Sequence, residues 1–293
     1  MKAVLFYIFN AFNRVITLLP LRVLYGITPL FYFILYYFPG YRKDVVMKNL
    51  RNSFPDKTEK ELVSISKKFY RHLADVFVEI MKLQNMKASE IKKRYKVMNP
   101  EILDRLNDQG RSTVAAFGHY GNWEWIISLP LSIEYKSITV YKPLANEYFD
   151  RYFKNFRSQY GLELIPMIKT GRTLYRYEKA GINTLTGLVS DQTPPSGEIQ
   201  YWTRFLNQDT PVYMGIEKIS HKFNMAVVFL HIDKVKRGYY ELTIEMITEE
   251  PGKLKPYEVT EKHVRLLEEQ IRNKPELWMW SHRRWKHKKP AGT

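Results

Sequence analysis

The stretch Arg111-Ser112-Thr113-Val114-Ala115-Ala116-Phe117-Gly118-His119-Tyr120-Gly121-Asn122-Trp123-Glu124-Trp125 decides how the chain is read. Its first half is a short run rich in β-formers that leads into a turn, and helix signals resume only after Gly121. Open α/β sheets hold their ligands where an apolar strand ends and a helix begins. His119 and Glu124 are five residues apart, which on a continuous helix of 3.6 residues per turn is about 140°. They can pair only if His119 lies in the turn and Glu124 in the first helical turn. Gly118 and Gly121 give the backbone the freedom that such a turn needs. A carboxylate on one imidazole nitrogen fixes the tautomer and leaves the other nitrogen as a general base. The alternative is a histidine satisfied by a backbone carbonyl, with Glu124 only complementing the helix dipole.

Outward from this turn the chain alternates. Asp56 to about Lys82 predicts a helix with a capping-type start in Pro55-Asp56-Lys57-Thr58-Glu59. Strand-like runs are expected over 137–140, 162–166, 184–189, 226–232 and 239–246. Helices are expected over 146–160, 171–180, 211–223 and 259–273. This alternation predicts an α/β fold with a central, mostly parallel sheet flanked by helices, in one domain over residues 41–293.

Residues 1–40 differ. Leu5, Phe6, Ile8, Phe9, Phe12, Val15, Ile16 and Leu18, interrupted by Asn10, Asn13 and Arg14, read as an amphipathic helix suited to an interface. Val23 to Phe38 carries no charge and ends at Pro39-Gly40. It is slightly short of the ~20 residues of a full span, and Pro29 is expected to kink it. We therefore expect an N-terminal helical membrane anchor, against the alternative of a buried helical hairpin. Arg42, Lys43, Lys48 and Arg51 follow and mark the cytoplasmic side by the positive-inside rule. Near the C-terminus, 277–289 mixes Trp278, Trp280 and Trp285 with bases and holds no acid, which reads as an interfacial anchor or a stacking nucleic-acid tail, against the alternative of a solvated basic terminus.

The 293 residues include 46 Lys and Arg against 30 Asp and Glu, a formal charge of +16, which points to an anionic partner. A hydrophobic content of 45% and an aromatic content of 15% exclude intrinsic disorder. With no cysteine, disulfides, thiolate nucleophiles and sulfur-ligated metals are excluded. No histidine spacing suggests a metal site, and there is no P-loop, Rossmann fingerprint or zincin motif.

The motif His119-x-x-x-x-Glu124 resembles the signature of the bacterial lipid A biosynthesis acyltransferases, the lauroyl and myristoyl transferases. The wider glycerolipid acyltransferases usually carry Asp at the second position. Further matches follow in family order. They are Tyr41-Arg42 through Asn49-Leu50-Arg51 and Phe54-Pro55, then Tyr141-Lys142-Pro143-Leu144, Arg157-Ser158 with Gly161, Asp191-Gln192, and Pro275 through Lys286. Arg is frequent where this chain has Lys142. The resemblance covers nearly the whole chain, and its ordered set is specific where any single member is weak.

The resemblance implies a glycerolipid-acyltransferase-like fold and transfer of a fatty acyl chain from acyl carrier protein to a hydroxyl of a lipid A precursor. It requires no cofactor and no metal. His119 would be the general base, Glu124 its orienting partner, and Arg157 an oxyanion or phosphate ligand. Asp191 would orient Arg157 or contact the acceptor, against the alternative of a turn initiator. Gln192, Lys142, Arg283 and Arg284 would bind substrate. The implied setting is the cytoplasmic side of the bacterial inner membrane, with acyl carrier protein, an anionic lipid and the membrane surface as partners. Nucleic acid is not expected. Alternatives are another membrane glycolipid or aminolipid as acceptor, or a non-catalytic basic protein that binds membrane or nucleic acid.

Overall fold

A computed structural model describes residues 2–38 and 40–290 of the chain. Nine strands follow in order: β1 (Tyr95–Val97), β2 (Thr113–Phe117), β3 (Lys136–Tyr141), β4 (Glu163–Pro166), β5 (Thr184–Val189), β6 (Trp202–Phe205), β7 (Gln208–Pro211), β8 (Ala226–Lys236) and β9 (Tyr239–Thr248). The helices are α1 (Lys2–Leu18), α2 (Leu21–Leu24), α3 (Thr28–Tyr37), α4 (Lys43–Ser53), α5 (Glu59–Leu83), α6 (Ala88–Arg94), α7 (Glu101–Asp108), α8 (Glu147–Ser158), α9 (Thr170–Lys179), α10 (Gly215–Lys222) and α11 (Glu258–Asn273).

Seven strands form one sheet in the order β1-β9-β8-β2-β5-β3-β4. The pairing is parallel throughout except between β8 and β9. Every residue of β2 is buried, as an apolar central strand covered on both faces must be. Alternate side chains of β2 enter two cores. Val114 and Ala116 join Leu62 of α5, Ile216 of α10 and Val264 and Leu267 of α11. Ala115 and Phe117 join Leu103 of α7, Trp125 and Phe156 of α8. Helix α5 begins as its capping box dictates. Thr58 Oγ1 accepts from the Glu61 N–H, and the Glu61 carboxylate accepts from the Thr58 N–H at 2.8 Å.

Residues 211–223 do not form one helix. Pro211 ends β7, which forms a hairpin with β6 through Leu206 and Asn207, both at positive φ, and α10 starts only at Gly215. Fixed φ and a missing donor suit Pro211 to a strand end as well as to a helix start.

Among the described residues no helix is long and apolar enough to cross a membrane. Val23 to Phe38 divides into the end of α2, a turn and α3. Pro29 sits in the first turn of α3, where its missing N–H costs nothing, so it starts a helix where a kink was expected. The side chains of Leu5, Ile8, Phe9 and Phe12, and Pro39 as a whole, lie outside the described residues. The inner faces of α2 and α3 pack on the domain through Leu21, Leu24 and Tyr36. Their outer faces expose Val23, Leu30, Phe33, Ile34 and Tyr37.

The C-terminal segment differs most from its expectation. Trp278 and Trp280 are core residues packed edge to face, with ring centroids 4.8 Å apart. Leu277, Trp278 and Trp280 pack in the core beneath the 119–121 turn, so burial removes these two indole rings from any interface.

Candidate functional site

The register of the central strands builds the site. Phe117 of β2 is the partner of Val189 of β5 in a parallel pair. Each chain continues two residues past that pair, to His119 on one side and Asp191 on the other. The His119 Nδ1–H donates to Asp191 Oδ1 at 2.6 Å, and the His119 backbone N–H donates to Oδ2 at 2.8 Å. Trp278 Nε1–H donates to the same Oδ2 at 2.8 Å. Three donors on a buried carboxylate favour its ionised form. Burial alone would raise Asp191, but the charge of His119 and these hydrogen bonds outweigh it and hold the carboxyl down at about 2. Burial likewise opposes a charged His119, and the adjacent Asp191 overcomes it, so the imidazole lies above its ordinary value.

Because Nδ1 carries its proton toward Asp191, Nε2 presents a lone pair. The Gln192 amide nitrogen meets it at 3.2 Å. The imidazole is 17% exposed and forms part of the wall of a cavity of about 450 Å³, shared with Glu124, Lys142, Arg157 and Gln192.

Glu124 is not the partner of His119. It lies in the first turn of a 3₁₀ helix, Trp123–Leu131, and forms a bidentate ion pair with Arg157 near the end of α8. Arg157 Nε donates to Oε2 at 3.0 Å and Nη2 to Oε1 at 2.5 Å. The planar fork of arginine matches a carboxylate in this way, and it aligns the guanidinium along the cavity wall. Asp191, expected to orient Arg157, therefore exchanges places with Glu124 in the network.

A second tier fixes the turn from α5. Asn122 is fully buried; its Oδ1 caps Trp125 N–H and its Nδ2 donates to Glu79 Oε2 at 2.7 Å. Glu79 also accepts from Tyr25 and Tyr240 hydroxyls, and burial is the main reason its carboxyl is raised. His72 Nε2–H donates to the Gly121 carbonyl at 3.2 Å, leaving Nδ1 to accept from Lys234. Burial, helped by Lys234, drives His72 down to about 3, so it stays neutral. Gly121 has φ +58 and Gly118 lies so close to its neighbours that a Cβ there would meet Leu267 Cδ1 at 2.6 Å and Asp191 Oδ2 at 3.1 Å. From the other side the C-terminal segment is hydrogen-bonded to the turn, Met279 N–H to the His119 carbonyl and Gly121 N–H to the Leu277 carbonyl.

His119, Glu124, Arg157, Lys142 and Gln192 thus converge on one cavity, with Asp191 directly behind His119. Arg283 is exposed and outside the cavity wall. Arg284 is 1% exposed and lies in the interior on the far side of Asp191, so its expected place against substrate does not hold. Within residues 275–286 it is Leu277, Trp278 and Met279 that hold the turn. His72 and Glu79 carry no role in the sequence reading, where they are a histidine and a glutamate on a long helix, and Trp278 is read there as an interfacial or stacking ring, not as a donor to Asp191.

Residues 1–287 match the family model for bacterial lipid A biosynthesis acyltransferase. No curated protein matches the chain.

Proposed function

The chain belongs to the bacterial lipid A biosynthesis acyltransferase family, and from that premise we propose that it moves a fatty acyl chain from acyl carrier protein to a hydroxyl of a lipid A precursor. One observation carries the mechanism: His119 Nδ1 is held 2.6 Å from Asp191 while Nε2 meets the cavity. An imidazole so oriented is a general base. It takes the proton of the acceptor hydroxyl at Nε2 as the oxygen attacks the thioester carbonyl. Asp191 stabilises the imidazolium that results, and the same nitrogen then protonates the departing thiolate. The new ester forms as the C–S bond breaks, so the acyl group passes directly between substrates. No covalent acyl-enzyme takes part, in keeping with a chain that has no cysteine.

Arg157 supplies the positive charge for the oxyanion or for a phosphate of the acceptor, and Glu124 sets its angle. Lys142 adds a second cation on the cavity wall. Gln192 yields Nε2 to the acceptor hydroxyl as it binds. Acidic acyl carrier protein is drawn to the basic surface. The exposed apolar faces of α2 and α3 seat the protein on the cytoplasmic face of the inner membrane, lying in the interface without spanning it.

The test is transfer by the purified full chain from acyl-carrier-protein thioesters to a lipid A precursor, with His119→Ala alongside. Acylated product from the wild type and none from His119→Ala is expected. Equal turnover by the two proteins overturns the mechanism. Acylation of another glycolipid with the lipid A precursor left unchanged overturns the acceptor.

A further inference from the structure

Behind Asp191, away from the substrate cavity, lies a second cavity of about 10 Å³. Asp191, Ser190, His263 and Arg284 form its polar part, and Phe205 and Leu267 close it. Arg284 is 1% exposed, yet its Nε and Nη1 have no hydrogen-bond partner among the described residues. His263 Nε2, equally buried, also has none. Arg284 makes no salt bridge among the described residues, although Asp191 stands on the same cavity wall and acts on it electrostatically. A buried guanidinium with two idle N–H groups is costly. So is a buried imidazole nitrogen without a partner.

We propose that one water enclosed in this cavity joins Arg284 and His263 to Asp191, and that through it Arg284 is a positioning residue for the His119–Asp191 pair. A space of this size holds about one water. The water accepts from one of the two idle Arg284 nitrogens, Nε or Nη1, which face different sides of the guanidinium, and donates one hydrogen to His263 Nε2 and the other to Asp191. The carboxylate already accepts three hydrogen bonds and has capacity for about four. Burial drives His263 down to about 4, so near neutrality it is an acceptor. A bound anion is disfavoured because the carboxylate shares the cavity with the guanidinium.

The sign of the effect on His119 follows from charge. Protonating His119 adds positive charge to a pair whose Asp191 is already ionised, and the Arg284 charge opposes that addition. Other groups facing the pair are Glu124 and Arg157 on the cavity side, and Tyr213, His282 and Lys286 around Asp191 and Arg284. None of these side chains fills the 10 Å³ space.

The inference rests on the proposed base only for its catalytic meaning, since its test needs no substrate. The His119 imidazole is titrated by NMR in the full chain, in wild type, Arg284→Met and Arg284→Lys. A high-resolution crystal structure of the wild type is determined with and without a bromide soak. The expected result is a water peak in the cavity, a His119 midpoint raised by about one pH unit in Arg284→Met, and a midpoint near wild type in Arg284→Lys. An empty cavity, an anomalous bromide peak, or a midpoint unmoved in a folded Arg284→Met each overturns it. Should Arg284→Met fail to fold, the wild-type density and the Arg284→Lys titration decide.

Discussion

His119 and Asp191 stand at equal distances beyond Phe117 and Val189, which are cross-strand partners in the parallel register of β2 and β5. The imidazole and its carboxylate are therefore placed by the sheet itself. A slip of one residue between β2 and β5 would turn one of the two away.

Asp191→Asn should lower kcat for acyl transfer roughly a thousandfold or more, by analogy with other carboxylate–imidazole pairs. The amide cannot stabilise the imidazolium and no longer fixes the tautomer. Substrate KM should change little, because Asp191 is shielded from the cavity by His119. Steady-state kinetics at saturating donor check this, and a variant retaining a tenth of wild-type kcat would contradict it.

The pH profile follows from the direction of the His119 shift. Asp191 raises the imidazole, and the base works only when neutral. Hence kcat/KM should rise with pH through an acidic limb whose midpoint lies above the ordinary histidine value of about 6.5. The raised pKa also stabilises the fold most below that ordinary value, and this contribution fades as pH rises through the folded midpoint. Asp191 acts oppositely: its stabilisation is present above about pH 4 and is lost as pH falls toward its folded value of about 2. A limb centred below the ordinary value would refute the pairing.

Glu124 and Arg157 should behave as one unit. Glu124→Ala and Arg157→Ala are each expected to reduce kcat/KM about a hundredfold. The double variant should be little worse than the poorer single one, because either substitution alone removes the bidentate geometry. Fully additive losses in the double-mutant cycle would show that the two side chains act separately.

Gly118→Ala tests the closeness of the 118–121 turn to α11. The new Cβ would stand 2.6 Å from Leu267 Cδ1 and 3.1 Å from the Asp191 carboxylate. Overpacking of this kind destabilises by about 1–3 kcal/mol, and the displaced Asp191 should reduce activity as well. In a Leu267→Ala background the same substitution should cost clearly less, as read by urea unfolding. An equal cost in both backgrounds would place the strain elsewhere.

How much of this was legible in the sequence depends on the range of each interaction. β2, β3, β5, β8, β9, α5, α8 and α11 announce themselves through local periodicity, and their alternation gives the mostly parallel sheet. The hairpin of β6 and β7 was masked by Pro211, whose local chemistry fits a helix start equally well. His119 and Glu124 are identifiable because their motif is local, and Arg157 only through the family resemblance. Which carboxylate meets the imidazole is a matter of strand register across 72 residues, and no spacing within the motif contains it. The same holds for Trp278, whose bases-and-tryptophan neighbourhood suggests an interface while long-range packing buries it. Arg284 misleads for the same reason, because a charged residue in a basic tail is expected at the surface.

The membrane seat is the last prediction. Leu30, Phe33, Ile34 and Tyr37 lie at i, i+3, i+4 and i+7 on α3 and are all exposed, while Thr28 and Tyr36 turn inward. An exposed apolar stripe of that spacing on a helix too short to span is suited to insertion at the acyl–headgroup boundary. Replacing Leu30, Phe33 and Ile34 by serine removes about 1.5–3 kcal/mol per fully buried side chain, of which an interface recovers only part. Binding to anionic vesicles, measured by flotation, should weaken roughly a hundredfold on that scale. Leu30, Phe33, Ile34 and Tyr37 do not line the cavity that His119 faces, so transfer to a detergent-dispersed acceptor should persist. Loss of detergent activity together with vesicle binding would mean that α3 supports the fold and not a membrane contact.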